Sequence, residues 1–157
     1  MSREPAAVSP GLEVVELATA DTYDLRLRVL RDGTPSRDVT YAQDDLPGTV
    51  HLGVRLGGVL VAVSSWAGEA YPGEPGAPAV RLRGMAVDQR LHGTGVGRVL
   101  LGAGIERATG DGAAIVWATA RDAVLGFYAG AGFEVSGEGF VDEATALAHH
   151  VIVLRLA

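Results

Sequence analysis

The sequence predicts an α/β domain with a mixed central sheet and helices on both faces. Three observations carry the prediction. Extended and helical apolar patterns alternate along the chain in the order β-α-β-β-β-α-β-α-β-β. The run Ala113 to Ala118 (AAIVWA) is continuously apolar, as in a strand buried on both faces. The chain has 157 residues, 48% hydrophobic and 20% charged, enough for one domain with one core.

Residues 1–10 carry two prolines and small residues and read as a loose tail, leaving 11–157 as a single domain. Leu12 to Leu17 (LEVVEL) is the first strand. Thr19 or Asp21 can cap a helix from about Thr22 to Arg31, with Tyr23, Leu27 and Leu30 at helical spacing and Asp32-Gly33 ending it. Thr34 to Pro47 is polar and irregular. Thr49 to Leu56 and Val59 to Trp66 flank Gly57-Gly58, the pattern of a β-hairpin. A proline- and glycine-rich loop, Ala70 to Pro78, precedes the strand Ala79 to Val87. Period-two alternation along that strand puts Arg81, Arg83, Met85 and Val87 on one face. A helix follows from Gly97 to Thr109, with Gly102 and Gly104 lowering its intrinsic propensity. Gly110-Asp111-Gly112 turns the chain into the apolar strand. Asp122 to Ala131 is a second such helix, stopped by Gly130 or Gly132. Phe133 to Ser136 and Ala148 to Leu156 are the last strands, joined by Gly137 to Leu147.

The chemistry concentrates between the strand ending at Val87 and the helix after it. Gly93, Gly95 and Gly97 alternate there, letting an anion approach the backbone. The first helical N–H groups have no partner inside the helix and carry the positive end of its dipole, so phosphate is the natural ligand. A P-loop is excluded: it needs a lysine, and all 13 basic residues are arginine. A dinucleotide fingerprint fits poorly, because Arg98 stands where the third glycine belongs.

The net charge of −6 argues against general nucleic-acid or anionic-membrane binding. The absence of cysteine excludes disulfides and thiolate chemistry. With no long apolar run and no signal-peptide pattern, a cytoplasmic protein is expected. Four scattered histidines show no zinc spacing, so no metal is expected.

His92-Gly93-Thr94-Gly95-Val96-Gly97 resembles the pyrophosphate loop of the GNAT superfamily of N-acetyltransferases, Q/R-x-x-G-x-G/A, with histidine in the Gln/Arg place. Met85-Ala86-Val87-Asp88 looks like the strand end that precedes that loop. The stretch VWATARDAVLGFYAGAGF resembles the family's second signature: Phe127-Tyr128, Gly132-Phe133 and Arg121 match it, and Thr119 replaces the usual Asn. GEGFVDEATALAHH is similar to a subgroup with acidic residues and a histidine before the last strand. The resemblance covers roughly Leu12 to Leu156.

The resemblance implies the GNAT acyl-CoA N-acyltransferase fold, with Arg81–Val87 and Ala113–Thr119 splayed and acetyl-CoA as cosubstrate between them. It implies that backbone groups of Met85, Ala86 and Val87 pair with the pantetheine arm, and that N–H groups from Gly93 to Arg98 hold the pyrophosphate. His92, Thr94, Val96, Thr119 and Phe127 complete the cofactor-binding set, and Arg98 and Arg90 can add charge-assisted bonds. An amine would attack the thioester directly, with Tyr128 as general acid to the leaving thiolate. For the base, Glu69 and His149 are the leading candidates, with Glu138 and His51 behind them. The acceptor stays open between a small metabolite and a protein amine; Arg81 and Arg83 near the cleft could favour an anionic one, but their pairing with Glu69 or other acids across the sheet is the preferred reading. The alternative function is a non-catalytic acyl-CoA-binding or sensing module. A monomer or a homodimer is compatible with the sequence.

Overall fold

The computed structural model describes residues 11–157; the tail expected over 1–10 lies outside the described residues. Strand β1 (Leu12–Leu17) leads into a helical segment made of a 3-10 turn (Thr19–Thr22), one α turn, α1 (Tyr23–Leu25), and a π turn (Arg26–Leu30). The expected helix is therefore present but changes its winding twice. The widened last turn belongs to Arg26, whose side chain is fully buried. After an irregular segment come β2 (Val50–Leu56), β3 (Val59–Gly68) and β4 (Ala79–Val87). Helix α2 (Val96–Gly110), β5 (Ile115–Arg121), α3 (Leu125–Ala129), β6 (Glu134–Val141) and β7 (Ala148–Arg155) complete the chain.

The seven strands form one sheet in the order β1-β2-β3-β4-β5-β7-β6. Neighbours are antiparallel except β4 and β5. Both Gly57 and Gly58 have positive φ (57° and 85°), as the β2–β3 turn requires. On one face, α2 and α3 pack through Leu100, Leu101 and Tyr128 onto Val54, Val116 and Ile152. On the other, α1 places Leu25 against Val63 and Ala86. Gly104 on α2 sits over the Trp66 indole: a Cβ there would stand 1.7 Å from the ring. Close approach explains this glycine, whereas Gly102 meets open space.

Two expectations need correction. Strand β6 does not stop at Ser136 but runs to Val141. Its ladder with β7 slips at the Gly137–Gly139 stretch and resumes at Phe140↔His149, so the glycines mark a bulge and not an end. Nor do Arg81, Arg83, Met85 and Val87 share a face. Val63 pairs with Ala86 and Ser65 with Arg83, so Ser64 alone stands opposite Gly84 and Met85. This bulge, at a glycine with φ of 62°, reverses the alternation. Met85 and Val87 join Leu82 in the α2-side core, while Arg81 packs over Trp117 and Arg83 over Tyr41.

Candidate active site

Strands β4 and β5 pair only at Ala79↔Ile115, Val80↔Val116 and Arg81↔Trp117. Beyond that point they diverge, and a cleft of about 900 Å³ opens between them. Its floor and walls are Leu82 to Met85 and Val87 of β4 and Ala118 to Arg121 of β5. The edge of β4 facing the gap has no ladder partner past Arg81.

At one end of the cleft stands the glycine loop. Gly93 and Gly95 have φ of 82° and 94°, and at neither does any heavy atom lie within 4 Å of a built Cβ. Gly95 is the N-cap of α2, and no side chain caps the helix. Its first-turn N–H groups have no partner inside the helix. Gly97 is tighter: a Cβ there would stand 3.3 Å from Phe127 and 3.4 Å from Val87. His92 binds back through Nε2 to the Val87 carbonyl at 3.0 Å, tying the loop to the end of β4. Thr94 turns its hydroxyl to the Leu91 carbonyl, and Val96 is buried in the core; neither side chain lines the cleft. Arg98 lines it, with its guanidinium over Phe127 at 5.8 Å. Arg90 is turned onto Asp88 at 3.0 Å, where it holds the carboxyl far below its ordinary range.

Tyr128 enters from α3, buried edge-on between Phe127 and Phe133. Burial pushes its phenol well above the ordinary value, so it stays protonated at any working pH. Thr119 and Phe127 also line the cleft. Ala86 does not: its side chain faces α1.

The other end is formed by the segment after α1 and by the β6–β7 turn. His149 is buried there, with Nδ1 2.9 Å from the Leu147 carbonyl and its ring stacked on Phe140. A carbonyl only accepts, so Nδ1–H is the donor; in the neutral ring this makes Nε2 the acceptor. Asp142, beside it, accepts from the Thr145 N–H and hydroxyl, both at 3.0 Å. Arg31, Arg83 and Arg121 converge on this end. Arg31 donates to the Asp38 carbonyl, Arg83 to the Gln43 side chain and Arg121 to the Leu30 carbonyl. Among the described residues none of the three has a carboxylate within ion-pair distance. Desolvation lowers the pKa of Arg83 and of Arg121, and the Arg31 charge adds to the effect on Arg121. Sequence reasoning missed Arg31 and Arg121 here. Arg121 was visible as a motif residue; Arg31 at a helix end gave no signal.

The remaining candidate bases lie elsewhere. Glu69 is outside the cleft, bound to Arg81 and Gln43 at 3.0 Å each. His51 is buried behind β3, between Ser65 and the Asp44 carbonyl. Glu138 is exposed on β6.

Residues 15–133 match the model of the Acetyltransferase (GNAT) family, three quarters of the chain. The chain belongs to the GNAT family. It is 31% identical over 144 residues to the uncharacterized N-acetyltransferase YitI of Bacillus subtilis, covering 92% of this chain and 95% of YitI. Two solved structures show the same fold. ElaA of Escherichia coli superposes with a TM-score of 0.71 at 19% identity, over 90% of this chain and 98% of ElaA. YncA of Salmonella typhimurium, solved with its cofactor acetyl-CoA, gives 0.70 at 18% identity, over 94% and 95%. This GNAT protein is an N-acetyltransferase with the seven-stranded mixed sheet and three helices of that fold. Among the described residues, no helix is long and apolar enough to cross a membrane, and no group of three His, Asp or Glu is placed to hold a metal ion.

Proposed function

We propose that the protein transfers an acetyl group from acetyl-CoA to the amine of a small acceptor that carries an anionic group. One observation carries the reading. A single cleft, lined also by Tyr128 and His149, joins an uncapped helix start behind open glycines to three arginines that, among the described residues, have no carboxylate within ion-pair distance.

In this reading the first-turn N–H groups from Gly93 to Arg98 hold the pyrophosphate, and the free edge of β4 receives the pantetheine amides as an added strand would. The family membership and the acetyl-CoA bound to YncA support that placement. Arg31, Arg83 and Arg121 hold the acceptor's carboxylate or phosphate. His149 takes a proton from the ammonium through Nε2. The amine nitrogen bonds to the thioester carbonyl carbon, the carbon–sulfur bond breaks, Tyr128 protonates the departing thiolate, and the second proton shed by the nitrogen as it becomes the amide returns through solvent to the phenolate. Most of the rate comes from holding the two reactants together.

The test is thiol release from acetyl-CoA over a panel of amino acids, polyamines, aminoglycosides and peptide N-termini, with acetyl-CoA binding followed by calorimetry. Turnover is expected with small acidic amines. Tyr128→Phe should lower kcat by about 10²- to 10⁴-fold while acetyl-CoA still binds. Failure of the wild type to bind acetyl-CoA or CoA would refute the reading of the glycine loop. Binding without turnover on any acceptor would favour a sensing module.

A further inference from the structure

At the acceptor end of the cleft, Tyr41, which lines it, joins Arg83 to a buried pair, Arg26 and Asp44, that the proposed chemistry does not use. Arg26 is fully buried. Its guanidinium makes a bidentate pair with Asp44 at 2.9 Å for both bonds, and donates to the Val39 carbonyl and the Ser65 hydroxyl at 2.8 Å. The Asp44 carboxylate also receives the Tyr41 N–H at 2.9 Å. Arg26 and Asp44 therefore fix the backbone at Tyr41. The Tyr41 ring is gripped on its faces by two cations, Arg26 at 4.5 Å and Arg83 at 4.4 Å from the centroid.

Two guanidiniums in one half-buried place would repel each other. The Tyr41 ring offers each of them its negative π face. Asp44 neutralises Arg26, so the uncompensated charge of the stack is that of Arg83, which faces the cleft. The stack also presses on the β4 bulge. A Cβ on Gly84 would lie 2.9 Å from the Tyr41 ring and 3.0 Å from Arg26 Nε. Arg26 Nε is buried with no hydrogen-bond partner among the described residues, packed instead against the bulge.

We propose that Tyr41 is a positioning residue: clamped on the Arg26–Asp44 pair, it sets where Arg83 presents its charge, and so sets selectivity for an anionic acceptor. This rests on the acceptor reading given above. Tyr41 touches no reacting atom in it, acting through Arg83.

The experiment compares wild type, Tyr41→Phe and Tyr41→Leu. The probes are aspartate and phosphoserine, with glycinamide as the uncharged control, and acetyl-CoA affinity is measured on all three proteins. The wild type alone tests the acceptor reading: equal kcat/KM on glycinamide and on the acids would overturn it, and this proposal with it. If the wild type prefers the acids, Tyr41→Leu should raise their KM about tenfold, with little change in kcat or acetyl-CoA affinity. The ratio of acid to glycinamide kcat/KM should fall by the same factor. Tyr41→Phe, which keeps the ring, should behave as wild type. A Tyr41→Leu protein with the wild-type ratio, or a Tyr41→Phe protein as impaired as Tyr41→Leu, would overturn the positioning role while leaving the acceptor reading intact. Parallel loss of acetyl-CoA affinity would likewise overturn it, by showing a general collapse of the cleft.

Discussion

Replacing Gly104 and Gly102 by alanine, one at a time, should change stability in opposite directions although they lie two residues apart on α2. Alanine is favoured over glycine in a helix interior by about 1 kcal/mol. At Gly102, where a Cβ meets nothing within 4 Å, that gain should appear undiminished. At Gly104 the new methyl would sit 1.7, 2.1 and 2.3 Å from three atoms of the Trp66 indole. Ordinary carbon contacts need about 3.5 Å, so ring and helix must separate by roughly 2 Å. The indole cannot simply swing away. It is 4% exposed, and its Nε1–H is held by Ser64 at 2.8 Å. Overpacking of this severity costs about 3 kcal/mol, the upper end of the usual range. Subtracting the propensity gain leaves a net loss of about 2 kcal/mol, a fall in Tm of roughly 4–8 °C for a domain of this size. The assay is equilibrium urea denaturation of both variants beside wild type. Because α2 begins at the glycine loop, Gly104→Ala should also weaken CoA binding, and Gly102→Ala should not. A Gly104→Ala protein as stable as Gly102→Ala would refute the claim that contact with Trp66 fixes the helix against the sheet.

Four further outcomes are expected. Glu69→Gln should leave kcat within about threefold of wild type, and loss of its half-exposed pair with Arg81 should cost no more than about 1 kcal/mol, checked by kinetics and denaturation together. Ala146 is the one non-glycine residue with positive φ (60°) among those described, so Ala146→Gly should raise stability by about 1 kcal/mol in the same urea assay. Gly95→Ala, at φ of 94°, should weaken CoA binding about tenfold by calorimetry, because the strained residue moves the helix start off its anion. Asp44 and Asp142 both lie below the ordinary carboxyl value: burial alone would raise them, but hydrogen bonds from Arg26 and Tyr41 to one, and from Thr145 to the other, outweigh it. A depressed folded value gives stability that is complete above the unfolded pKa of about 4 and is lost as pH falls through the folded value. The urea midpoint should thus hold steady above about pH 5 and drop below about pH 4.

Much of this architecture is legible in the chain because local signals and tertiary demands agree. Gly57-Gly58 between two alternating runs gives the hairpin, and the apolar Ala113–Ala118 run gives a strand covered on both faces. The glycine loop is legible for the same reason: the positive φ of Gly93 and Gly95, 82° and 94°, favours glycine there. What escapes is whatever depends on a partner distant in sequence. Arg26 shows no local sign of burial, yet among the described residues it is the largest fully buried side chain, because Asp44, 18 residues on, lies in a stretch without periodicity. The convergence of Arg31 with Arg83 and Arg121 has no local trace either. The bulge at Gly84 did leave one: a lone glycine inside a strand pattern is a bulge signal. Period-two counting across it put the arginines on one face with Met85 and Val87, which the bulge separates.

The three-pair contact between β4 and β5 has a mechanical consequence. The sheet is two half-sheets, β1 to β4 and β5-β7-β6, basted together at one end and covered by α2 and α3 on one face. A molecule that pairs with the free edge of β4 closes an open seam as well as filling a slot. Its binding energy then appears as cohesion between the halves, about 2.7 kcal/mol at a hundredfold excess over Kd. Amide hydrogens along Leu82–Val87 and Ala118–Arg121 should accordingly gain more protection on loading than those of β1 or β2, which no ligand needs to stitch.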